Sequence, residues 1–169
     1  FFTITGFFFV ASVSDAFSEA SIRGFLAGAV FFMIFLSPAL TMRLIAEEQK
    51  LGTMELLMTS PLKDFEIVIG KFLAALSIII VMIIGTFFYP IILIIFGVPD
   101  FGPIFTGYLG LILYSSSTLS VGIFASSLSS NQLVSLVVGS GILSFLTFID
   151  FVSSRLSGVF GTILNELQL

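Results

Sequence analysis

The chain has 169 residues, 57% of them hydrophobic and 9% charged, with a mean hydropathy of +1.22 and a formal net charge of -4. Soluble domains carry about 25% charged residues, so this composition excludes a water-covered globule and makes lipid the main solvent. Ten acids against six bases argue against a phosphate-binding nucleic-acid surface, and the lack of Cys and His removes disulfides, thiolate metal sites and the commonest general base.

In chain order, Phe1 to Ser14 is uncharged but only about 21 Å long as a helix, short of the roughly 30 Å hydrocarbon core. It reads as the end of a truncated first span (about 1–14), since a signal peptide would bring a basic n-region. Asp15 to Arg23 is a polar link in which Glu19 and Arg23, four apart, suit a small interfacial helix. Gly24 to Met42 is uncharged and long enough for a second span (about 24–42). Its Gly24-xxx-Gly28 pair fits either close helix approach or the ordinary abundance of small residues in membrane helices. Pro38 is expected to kink the end of this span.

Phe72 to Pro99 is uncharged and longer than one perpendicular crossing, giving a third span (about 72–96) with tilt, a kink at Pro90 or an early exit near Gly97. Gly97 to Pro103, GVPDFGP, reads as a tight turn. Phe101 to Ile149 carries no charge and as one helix would run about 74 Å, so it must fold back. Its most polar window, Ser126 to Gln132, divides it into fourth and fifth spans (about 104–125 and 133–149). From Asp150 the pattern changes. Val152, Leu156, Val159, Phe160, Ile163, Leu164 and Leu167 recur with helical period among polar residues, which predicts a separate amphipathic helix over about 151–169, suited to the membrane surface or to packing against other spans. The expected fold is all-α, a polytopic membrane helical bundle in one transmembrane domain (1–169), with five spans visible of six.

Arg43 to Lys71 holds nine of the sixteen charged residues, including four of the six bases. The positive-inside rule places this loop, 43–71, in the cytoplasm and the 151–169 helix outside. Within the loop, Thr53 is suited to cap a two-turn helix with Glu55 in its first turn. Met54, Leu57 and Met58 share one face of it, and Ser60-Pro61 ends it. Ser60 and Pro61 then suit the start of a second helix, with Phe65, Ile69 and Phe72 on one face, lying in the interface before bending into the third span. On spacing alone the Met and Leu face fits a partner's groove or a bed of lipid headgroups.

The stretch RLIAEEQKLGTMELLMTSPLKDFEIVIGKFLAAL resembles the cytoplasmic loop of the membrane subunit in type-2 ABC transporters. It looks most like the permeases grouped with gliding-motility and copper-enzyme-maturation systems. The resemblance rests on Arg43, Glu47, Glu48, Gly52-Thr53, Glu55-Leu56-Leu57, Ser60-Pro61, and Glu66 through Gly70-Lys71. It implies that Gly52 to Thr59 is a coupling helix docking on a separate ABC ATPase subunit, with Glu47 and Glu48 at its entrance making charged contacts. The coupling residues it implies are Glu47, Glu48, Gly52, Thr53, Met54, Glu55, Leu57, Met58 and Pro61. It also implies a second permease copy or homologue in the bilayer of the inner membrane, and six spans with external re-entrant helices before the last. The incomplete first span and absent sixth depart from that pattern.

No cofactor is expected on this chain, with ATP and Mg belonging to the partner. Gly70-Lys71 is followed by Phe72 and preceded by Phe65 where a P-loop needs Gly, no Ser has a His to activate it, and no acidic pair lies within a span. Tyr114 to Ser120 makes the fourth span polar at its middle. Ser116, Ser117 and Ser120, with Ser140 and Ser144 of the fifth span, are candidates to line a substrate path, against the simpler reading of interhelical packing. The expected function is the permease subunit of an ATP-driven exporter; the alternative is a non-transporting anchor that recruits an ATPase. Uncharged spans favour lipid-like, amphipathic or polymeric cargo.

Overall fold

Hydrocarbon offers the backbone no hydrogen-bond partners, so an apolar run of span length satisfies its own N–H and C=O groups by forming a helix. The computed structural model describes residues 1–13, 23–54, 63–96 and 101–166, and all regular structure among them is helical. Helix α1 spans Phe2–Val13, α2 Arg23–Thr41, α3 Ala46–Leu51, α4 Asp64–Gly85, α5 Phe88–Phe96, α6 Phe101–Ser127 and α7 Gln132–Glu166. Four stretches, Gly24–Leu51, Asp64–Ile95, Phe101–Ser127 and Gln132–Ile149, are long and apolar enough to cross a membrane, and Phe2–Ala11 is a shorter apolar helix. The molecule is an all-α polytopic membrane bundle.

Helices α2 and α6 form its centre. α2 packs on α1, α6 and α7, and α6 packs in addition on α4 and α7. Phe25, Ala29 and Met33 of α2, and Ala75, Ile79 and Ile83 of α4, are spaced four apart and so project from one face. Tyr108, Leu111 and Leu119 of α6 fill the space between them, and Phe9 of α1 and Tyr89 of α5 close the top. Phe7, Val81 and Val137 point outward, which costs nothing where the surroundings are lipid tails. Association therefore depends on close backbone approach and interhelical hydrogen bonds. At Gly28 a Cβ would lie 2.5 Å from the Phe8 ring, so this glycine of the Gly24–Gly28 pair serves the approach of α1.

The prolines act in different ways. α2 runs through Pro38 and ends one turn later at Thr41. The kink expected at Pro90 is a full break placed upstream, at Thr86 and Phe87. Pro90 has no N–H to offer the Thr86 carbonyl and its ring crowds that oxygen. The freed carbonyl accepts from the Tyr108 hydroxyl and from the Tyr89 N–H, each at 3.0 Å. The Thr86 hydroxyl in turn donates to Ile83 O at 2.6 Å. Of the expected turn at 97–103, Phe101 to Pro103 are the first residues of α6, and 97–100 lie outside the described residues.

The polar window 126–132 does end one helix and open the next. Asn131 caps α7, its Oδ1 accepting from the Leu133 N–H at 3.0 Å. Two boundaries need correction. The expected separate amphipathic helix at 151–169 is continuous with the fifth span, since α7 runs unbroken from Gln132 to Glu166. The junction Ile149-Asp150-Phe151-Val152 contains neither Gly nor Pro, and one Asp costs only about 0.7 kcal/mol of helix propensity. The expected helix start at Ser60 and Pro61 lies outside the described residues, but the expected helical course through Lys63 is corrected. Lys63 is extended (φ -82, ψ 143), and α4 starts straight at Asp64, with Glu66 Oε2 accepting from the Lys63 N–H at 3.1 Å.

Candidate functional site

The described parts of the charge-rich loop meet at one end of the bundle, where α2 stops, α3 follows, α4 begins and α6 ends. At Thr41 the helix tightens into a turn over 42–45, with the Thr41 hydroxyl returned to Ser37 O at 2.8 Å and the Met42 N–H to Pro38 O at 2.8 Å. α3 then runs for six residues, with Glu47 and Glu48 in its first turn and Lys50 in its last, the order its dipole favours. Gly52 stops it in the left-handed region (φ 72), where a side chain would be strained. The Thr53 hydroxyl donates to Glu48 O at 3.4 Å.

A helix of six residues has few bonds of its own, and α3 is held by side chains from other elements. Ser126, fully buried at the end of α6, accepts from the Ile45 N–H at 3.2 Å and the Ala46 N–H at 3.1 Å. Its hydroxyl donates to Met42 O at 3.2 Å. It thus satisfies, from a different span, the N–H groups of the N-cap residue Ile45 and of the first helical residue Ala46, at a helix start where Ile45 has no side-chain oxygen to offer. Gln49 Nε2 donates to Ser127 O at 3.3 Å. From the other side, Lys71 of α4 brings its ammonium to the Leu44 carbonyl and, at 2.6 Å, to Glu48 Oε2. That last contact is a charge pair rather than an aligned hydrogen bond.

These contacts sort the expected coupling residues. Glu48 is turned inward onto Lys71, whereas Glu47 is half-buried beside it and Arg43 and Lys50 are exposed. Gly52 is the left-handed residue that ends α3. Met54 lines a crevice of about 130 Å³ with Ile45, Asp64, Ile67, Val68 and Lys71. Glu55, Leu57, Met58 and Pro61 lie outside the described residues, as does most of the expected Gly52–Thr59 helix. Ser126, Ser127 and Lys71 were the residues that sequence reasoning passed over as functional. For Ser126 the available signal was spacing: Thr118, Gly122 and Ser126 recur every four residues, one face of small and hydroxylated side chains toward a neighbouring helix.

The candidate path-lining serines sit apart from this site. Ser116 donates to Leu113 O at 2.7 Å, Ser120 to Ser116 O at 2.9 Å and Ser140 to Leu136 O at 2.8 Å, each within its own helix. Ser117 is exposed. Ser144 and Thr147 of α7 line a groove of about 270 Å³ with Phe31, Ile34 and Phe35 of α2 and Phe148. The hydroxyls that face inward are others: Ser115, Thr118 and Ser126, with Ser37 and Thr118 bonded across the α2–α6 contact at 2.7 Å.

The sequence matches the family described as ABC-2 family transporter protein over residues 4–165, nearly its whole length. No curated protein and no solved structure matches it. The family match does not narrow to the gliding-motility and copper-maturation group. With helices long and apolar enough to cross a membrane running through the matched region, the chain is a multi-pass membrane protein that belongs to the ABC-2 transporter family, as a permease subunit.

Proposed function

We propose that this permease is the membrane half of an exporter driven by a separate ABC ATPase, which docks on the loop between the second and third spans. The observation that carries the reading is the family match over residues 4–165, taken with a short helix, α3, presented where that loop leaves the bundle. The positive-inside rule favours a cytoplasmic loop and an inner-membrane location, because Arg43, Lys50, Lys63 and Lys71 lie together there. ATP and Mg²⁺ would be held by the ATPase, and two copies of this chain, or this chain and a homologue, would flank the substrate path. Nucleotide binding would displace the coupling segment, Gly52 to Thr59, and rock the spans between inward- and outward-open states.

Glu47, Thr53, Met54, Glu55, Leu57, Met58 and Pro61 are the proposed docking residues. Ser116, Ser117, Ser120, Ser140 and Ser144 remain proposed contributors to the path. The test is co-expression with an ABC ATPase from the same cell, followed by purification in detergent and reconstitution. The ATPase is expected to co-purify and to hydrolyse ATP faster with the permease than alone. Leu57→Asp is expected to lose both effects while the permease remains in the membrane. A wild-type chain that neither retains nor stimulates any such ATPase overturns the reading.

A further inference from the structure

Helix α3 is joined to α2 through the turn 42–45 and continues past Gly52 into the loop, so neither covalent link is itself a stiff helix. Among the contacts that fix it to the bundle, one peptide unit is held from two spans at once. Leu44 contributes the carbonyl of that unit and Ile45 contributes its N–H, and in a trans peptide the two point in opposite directions. Lys71, on the third span, takes the carbonyl. Ser126, on the fourth, takes the N–H at 3.2 Å. Both side chains are then committed further: Lys71 to Glu48 at 2.6 Å, and Ser126 to the Ala46 N–H and the Met42 carbonyl. A serine hydroxyl has one donor and two acceptor sites, so Ser126, at 0% exposure, is fully used.

We propose that Lys71 and Ser126 are positioning residues that clamp the Leu44–Ile45 peptide between the third and fourth spans, so that displacement of α3 is delivered to both spans together. The functional half of this inference rests on the docking reading above; the clamp itself does not. Without it, α3 would swing on the turn 42–45 and a push on the loop would be lost in that turn. The clamp also assigns Glu48 a task different from contact with the ATPase, since its carboxylate completes the Lys71 site.

The first experiment is amide hydrogen exchange on the full chain in nanodiscs. Ser126→Ala is expected to speed exchange at Ile45 and Ala46 by about tenfold or more, with the middle of α6 unchanged. Unchanged exchange at those two amides overturns the clamp. The second uses the complete transporter with its ATPase. The chain has no Cys, so Ser117→Cys gives a single maleimide site on α6. ATP is expected to change its labelling rate several-fold in the otherwise wild-type chain and in Lys71→Arg, but not in Lys71→Met, while the ATPase stays bound to all three. A Lys71→Met protein that responds like wild type overturns the transmission role. So does one that loses the ATPase, because Lys71 would then be building the docking surface. If the wild-type background fails to bind the ATPase, the docking reading falls and exchange at Ile45 and Ala46 alone judges the clamp; if it binds the ATPase yet gives no response, the transmission role falls and the docking reading stands.

Discussion

At Gly122 a missing side chain sets how near two spans come. A Cβ there would lie 2.2 Å from Thr41 Oγ1 and 3.3 Å from Ser37 O. Gly122→Ala is therefore expected to destabilise the bundle by about 1–3 kcal/mol, seen as a lower Tm in detergent. Gly70, in the first half of α4, has open space around it, and Gly70→Ala is expected to raise stability by about 0.5–1 kcal/mol through backbone entropy alone. Shifts of the same sign in both variants would refute the close-approach account. The contrast also shows what single residues disclose in a sequence. Ser116, Ser117 and Ser120 attract notice as polar residues in a greasy run, yet the serine and threonine hydroxyls that tie α2 and its following turn to α6 are Ser37, Thr118 and Ser126. A helix turns 100° per residue, so adjacent serines face different neighbours, and only the packed partner tells which of them is inside. Ser126 was legible as a turn former; that it caps a helix eighty residues away in sequence depends on a contact no local pattern encodes.

Elements were more legible than contacts where polarity or proline marks a boundary. The turn before Gln132 follows from SSLSSNQ, whereas α3 and its left-handed stop at Gly52 were not read from the sequence, which placed Gly52 at the start of the expected helix. The continuity of α7 past Asp150 was not legible, because a change from uncharged to amphipathic pattern marks a change of surroundings rather than a break in the backbone. The break before Pro90 was legible in kind but displaced by four residues, the reach of the hydrogen bond that proline omits. That account has a measurable consequence. Tyr108→Phe leaves the Thr86 carbonyl without its hydroxyl donor and is expected to cost about 1 kcal/mol. Pro90→Ala returns an N–H to that carbonyl, so in its background the same tyrosine change is expected to cost clearly less. A double-mutant cycle on unfolding in detergent reads the difference; additive costs would mean that Tyr108 does not compensate for the proline.

For the whole molecule, composition alone gave the solvent, and with it the helical class and the outward-facing Phe, Val and Ile. The same reasoning predicts a depth profile for added charge. Val81 is exposed midway along the third span, and Val81→Arg is expected to cost about 2.5–3.5 kcal/mol of membrane insertion. Phe65, equally outward but beside Asp64 at the loop end, is expected to accept Arg with little loss, because the guanidinium reaches water. Membrane-fraction yield of the two variants checks this, and equal yields would argue against the assigned depth. One contact seen earlier has a wider reach. Gln49 of α3 is bonded to Ser127, one residue before the turn that joins α6 to α7, so the loop and that turn form a single exposed face. To an antibody fragment this is one epitope. A binder raised against Leu128 to Asn131 would shade α3 as well, offering a reversible means of blocking the loop without altering a residue of it.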